Sequence, residues 1–190
     1  MNKINILLVD IYISESKTSE AISDEENSKI LNFRNEFTHF IKLEENSNVK
    51  KLIDEAEIIP DYILESFLIN KFIEFKSSNI LCVGLYSKEG LKIIKNSLNS
   101  LGLTVNKIWY VKQKDPDTYK IQFCQNPPNA SFEKYLEEIE ERWEKSYRER
   151  KDFINFLKTE FLDLEWRVIE VDYIKPITKE YIMNKINDRA

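Results

Sequence analysis

Residues 111–125 are VKQKDPDTYKIQFCQ, and their reading decides the fold. Asp115 and Pro116 are favoured at the first positions of a β-turn, and β-rich runs, IWYVK and YKIQFCQ, flank them. The stretch therefore predicts a hairpin. In its second strand, alternation sets Tyr119, Ile121 and Phe123 on one face and Lys120, Gln122 and Cys124 on the other.

Upstream, NILCVGLY (79–86) predicts a strand apolar on both faces, so its sheet should be covered on both sides. SKEGLKIIKNSLNSLG (87–102) predicts a helix, and 103–112 a second strand. Downstream, NPPNAS breaks the chain, and apolar steps of three and four predict a helix over 131–162. At 1.5 Å per residue that helix would reach ~48 Å, so a break is expected near 146–152, where the spacing lapses at Arg150. A strand over 165–174 and a terminal helix after Pro176 complete the order.

Strand-helix-strand-strand-helix-strand is the order of the ferredoxin-like fold. The expected class is α+β, with a ferredoxin-like β-α-β-β-α-β unit over 79–190. Residues 1–78 add an N-terminal strand and helices packed on it, within one compact domain. First and third strands are neighbours in that order, which would set Cys82 and Cys124 on adjacent strands. Within 1–78, the sequence predicts a strand over 4–13, a Ser-rich acidic surface loop over 14–28, and a short helix then a short strand over 29–43. Helices follow over 48–57 and, opened by Pro60 and Asp61, over 61–76. A doubly wound nucleotide-binding sheet is the alternative, should the 4–13 strand lie parallel beside 79–85.

All three glycines, Gly84, Gly90 and Gly102, lie in one strand-helix-strand unit. They match neither the Gly-x4-Gly-Lys-Ser/Thr phosphate loop nor Gly-x-Gly-x-x-Gly. Ser87 instead caps the helix, Glu89 complements its dipole, and Gly102 ends it in a left-handed conformation. Anion binding by Ser87 and Lys88 at that helix start is the alternative.

The chain has 190 residues, 42% apolar, with formal net charge -5. Only the middle is basic: residues 79–128 hold seven lysines against three acidic residues. An acidic whole argues against a nucleic-acid module, although an RNA partner fits the strand order and the basic middle. Two cysteines without paired spacing predict buried thiols, and a lone histidine, His39, excludes multi-histidine metal sites. No metal and no cofactor is expected. No eighteen-residue apolar span and no signal peptide are present, so the expected location is cytoplasmic, away from membranes.

Asp10 ends an apolar strand, where many α/β enzymes place a catalytic carboxylate, but no second acid follows two residues on. A metal-dependent nuclease would need acids and a lysine converging from a hairpin. Its candidates are Asp115, Asp117 and Lys120, with Glu170 and Asp172 on one strand face.

The stretch from Tyr86 to Pro127 resembles the bacterial regulator of ribonuclease E activity B family and its associated domain of unknown function. Tyr86, Lys88, Glu89 and Leu91 match its helix start, and Asp115, Pro116, Tyr119 and Pro127 its acidic turn, aromatic strand and proline loop. The family's tryptophan after Asp-Pro is replaced here by Asp117-Thr118. The resemblance covers about residues 80–128 and implies a non-enzymatic regulator with a protein partner. The expected function is accordingly a non-catalytic binding or regulatory module acting through protein contacts.

Overall fold

In the computed structural model, residues 3–10, 13–42, 48–51, 60–84, 86–125, 132–172 and 177–188 are described. The run INILLV forms β1 (Ile4–Val9), whose six residues are all buried. It lies parallel between β3 (Asn79–Val83) and β4 (Lys107–Gln113), with Ile4 opposite Ile80 and Ile6 opposite Ile108. β2 (Ser28–Asn32) pairs parallel with β3, and β5 (Glu165–Val171) parallel with β4. The sheet order is β2-β3-β1-β4-β5.

Helices make the crossovers that parallel strands require. α1 (Glu15–Glu25) joins β1 to β2; α2 (Phe33–Phe40) and α3 (Asp61–Glu74) lie between β2 and β3. α4 (Lys88–Ser100) joins β3 to β4; α5 (Pro116–Gln125) and α6 (Phe132–Glu160) separate β4 from β5; α7 (Lys179–Asn187) follows. One core joins Ile4, Ile6, Leu8, Ile80, Cys82 and Ile108 to apolar residues of α2, α3, α4 and α6. The other joins Leu7, Val9, Leu81, Val83, Trp109 and Val111 to α1 and α7. This is a mixed α/β fold whose sheet is covered on both faces, as the two-sided apolar strand at residue 79 requires.

The hairpin is not there. Residues 116–125 are helical, because Asp115 accepts from the Thr118 N–H at 3.1 Å and the Thr118 hydroxyl at 2.6 Å, while Pro116 takes the first helical position. The residues that favour a turn also start a helix. Without that hairpin, and with every described strand pairing parallel, the sheet is an all-parallel one instead of the ferredoxin-like ladder. Cys82 lies on β3 and Cys124 in α5, so they do not share adjacent strands.

Three further expectations change. Residues 14–28 hold α1, whose buried side includes Thr18 and Ser19; their hydroxyls donate to the carbonyls of Ser14 and Ser16 at 2.7 and 2.9 Å. Over 29–43 the strand precedes the helix, and Asn32 caps α2 by accepting from the Asn35 N–H. α6 runs unbroken for 29 residues, about 43 Å at 1.5 Å per residue. Of the helix expected over 48–57, only the helical residues 48–51 are described, and the NPPNAS segment lies outside the described residues. Among the described residues, no helix is long and apolar enough to cross a membrane.

α4 keeps its expected ends: Ser87 accepts from the Gly90 N–H at 3.0 Å, and Gly102 has φ +65°. The chain leaves β1 towards the face covered by α1, but leaves β3 and β4 towards the opposite face. Loops therefore part on both sides of the carboxyl end of β1, the position where open α/β sheets take ligands.

Candidate ligand site at the carboxyl edge of the sheet

Asp10 follows β1 at this parting point. Its carboxylate accepts from the Tyr110 hydroxyl at 2.8 Å and from the Gln113 N–H at 3.2 Å. Burial pushes its carboxyl above the usual range, opposed by those two hydrogen bonds and by the charges of Arg150 and Lys112. Burial and the neighbouring Asp10 carboxylate both raise the Tyr110 phenol.

Glu15, in the first turn of α1, reaches across the edge. Its carboxylate accepts from the Tyr86 hydroxyl and, at 3.2 Å, from the Asn32 side-chain amide. Asn32 thereby ties α1 to the start of α2. On the other side of Tyr86, the Arg150 guanidinium carbon lies 3.7 Å from the ring centre. Burial lowers the Arg150 pKa, partly offset by Tyr86, Asp10, Tyr110 and Glu15. Its Nη1 is buried and has no hydrogen-bond partner among the described residues.

Two cavities flank this network. The first, about 570 Å³, is mostly apolar and opens beside the carboxyl ends of β2 and β3. Phe33, Phe37 and Phe67 line it, with Arg34, Thr38 and Ser87 as polar groups. The Phe37 and Phe67 rings meet edge to face at 5.2 Å. Gly84, with φ +85°, turns the chain out of β3 along its wall. The second, about 360 Å³, lies between the carboxyl end of β4 and α6. Tyr86 lines the first and Arg150 the second, so their stack stands between the two.

The sequence-predicted residues are dispersed. Asp115 caps α5 and Asp117 sits in its first turn; Lys120 meets Glu144 of α6 at 2.8 Å. On β5, Glu170 pairs with Lys112 at 2.8 Å, and just beyond it Asp172 meets Lys114 at 3.8 Å and Lys185 at 3.6 Å. Asp115, as the cap, and Asp117 and Lys120, within α5, belong to one helix rather than to the hairpin a nuclease core uses. Among the described residues, no three His, Cys, Asp or Glu side chains are grouped as a cation site would group them. Ser87 is occupied as the α4 cap but borders the first cavity, while Lys88 lies 5.4 Å over the Phe156 ring. The basic middle of the chain is answered from its flanks: Lys107 meets Glu26 at 2.7 Å, alongside the Lys112 and Lys120 pairs.

Glu15, Tyr86, Tyr110 and Arg150 escaped notice as site residues because they are scattered singly through the sequence. The apparent break at Arg150 was the available signal, since a charge interrupting an apolar stripe marks a buried polar contact as readily as a bend. Residues 11–18, IYISESKT, also spell the Lys-Thr end of a phosphate loop, with Ile11 and Ser16 where glycines belong. Thr18 gives its hydroxyl to Ser14, and Lys17 turns outward to Glu20 at 3.2 Å. No protein-family model matches the chain, and a search of curated proteins finds no match.

Proposed function

We propose that the protein is a binding module for a small organic anion bearing a flat ring, of the mononucleotide class, held at the carboxyl edge of its sheet. The observation that carries this is the aromatic cavity opening at that edge, beside the parting of loops around β1. Phe33, Phe37 and Phe67 suit a ring, and Arg34 supplies charge at the same cavity. Binding is favoured over phosphoryl transfer because Glu15 brings the protein's own negative charge to the start of α1, and Lys17 is paired elsewhere.

Titration calorimetry with a panel of nucleoside monophosphates tests this reading. Thr38→Trp, which fills the cavity from an exposed position, should abolish binding, and Arg34→Ala should weaken it about tenfold, the loss of one charge-assisted contact. Absence of binding at millimolar ligand, or affinity indifferent to both substitutions, would defeat it.

The regulator acting through protein contacts is the second reading, supported by Tyr62 and Ile73. They lie three turns apart on one side of α3 and are 62% and 46% exposed. Loss of a captured partner on Tyr62→Glu with Ile73→Glu, with nucleotide binding intact, would favour it.

A further inference from the structure

The second cavity differs in kind from the first. Lys112, Lys114, Arg150, Lys151 and Lys158 line it, against the single carboxyl of Asp10. Tyr147, Lys151, Ile154 and Lys158 recur at steps of four, three and four, so one stripe of α6 faces the carboxyl end of β4. Two of the five cations are matched by acids of β5 and its end, Lys112 by Glu170 and Lys114 by Asp172. Lys151 and Lys158 have no ion pair among the described residues. Arg150 adds a guanidinium whose buried Nη1 has no acceptor among the described residues.

We propose that this cavity is a second binding site, for an anion carrying two linked phosphoryl groups. Arg150, whose side chain lines the cavity, adds the fixed positive charge of a guanidinium to the site. Lys151 and Lys158 supply charge that no acid of the described chain neutralises. The Asp10 carboxylate opposes the anion, but it is already engaged by the Tyr110 hydroxyl and the Gln113 N–H and is outnumbered by the cations of the lining. This site is separate from the start of α1, where Glu15 already stands, and from the aromatic cavity beyond the Tyr86–Arg150 stack. About 360 Å³ leaves room for more than one phosphoryl group.

The test is calorimetric titration of the full chain with inorganic pyrophosphate at low salt. Lys151→Gln with Lys158→Gln, both exposed and so compatible with folding, should lower the affinity at least tenfold. The control pair Lys76→Gln with Lys145→Gln, also exposed but outside the cavity, should change it less than twofold. A nucleoside diphosphate tested beside pyrophosphate separates the two sources of this chemistry: equal affinity assigns recognition to the phosphoryl groups alone, and tighter binding adds the nucleoside. No pyrophosphate binding at millimolar concentration, or equal losses in the two double variants, would overturn the proposal. Thr38→Trp should leave pyrophosphate binding intact, so failure of the aromatic-cavity reading and failure of this one are separately visible.

Discussion

The guanidinium carbon of Arg150 lies 3.7 Å from the centre of the Tyr86 ring, and the Tyr86 hydroxyl is bonded to Glu15. Three elements distant in sequence, α1, the loop after β3 and α6, are thus joined through one aromatic side chain. A cation over a ring gains about 0.5–2 kcal/mol, more as water is excluded.

Arg150→Ala removes that stack, the buried stem and the positive charge near Asp10 and Glu15. It should destabilise the fold by about 2–4 kcal/mol. Arg150→Met keeps most of the volume and discards the buried N–H that has no partner among the described residues, so its cost should be smaller, about 1 kcal/mol. Urea unfolding of the two variants checks the order; a more stable alanine variant would contradict it.

Asp10 predicts a pH dependence of definite sign. Burial raises its folded pKa above the 3.8 of an ordinary aspartate, so between those two values the folded state holds more proton than the unfolded one. Stability from this group therefore falls as pH rises through that window. Asp10→Asn removes the fall, and the stability of the variant relative to the parent should increase from pH 4 upward in denaturation series at several pH values. A relative stability that declines with pH would reverse the assignment.

Asn5 is fully buried in the central strand, and neither amide atom has a hydrogen-bond partner among the described residues. Asn5→Leu, with the same branched heavy-atom shape and no polar atoms, should stabilise the protein by about 1–3 kcal/mol. A rise in the urea midpoint with unchanged slope is the expected reading.

Gly84 and Gly102 both have left-handed φ, +85° and +65°, and alanine at either should cost about 1–2 kcal/mol. A Cβ on Gly102 meets nothing within 4 Å, whereas one on Gly84 comes 3.5 Å from Asn32 Oδ1 and beside the first cavity. Gly84→Ala should therefore weaken nucleotide binding as well as stability, and Gly102→Ala stability alone. Paired calorimetry and denaturation separate the two effects.

Apolar runs and caps were enough to find β1, α3, β3, α4, β4, β5 and α7. What escaped has physical causes. α1 hides its buried side in Thr18 and Ser19, hydroxyls satisfied by the backbone of their own helix. β2 is an edge strand in which only Leu31 is fully covered, so SKILN lacks a strand's usual apolar signature. In α5, the alternation of Tyr119, Ile121 and Phe123 imitates a strand, and Asp115-Pro116 serves equally as turn or helix start. That one ambiguity carried the topology. Asp10 was noticed as the carboxylate ending a strand, but its partners Tyr110, Gln113 and Arg150 come together only through the parallel crossover order.

The position of β1 also orders the birth of the fold. The Ile4 N–H is bonded to the Asn106 side chain, 102 residues along the chain, and both neighbours of β1 are made long after it. At about 5–20 residues per second, ribosomal synthesis leaves this apolar strand unpartnered for several seconds. Its strongly hydrophobic INILLV segment is then exposed to other nascent chains, so yield on expression should depend more on chaperone supply and growth temperature than the stability of the finished protein would suggest.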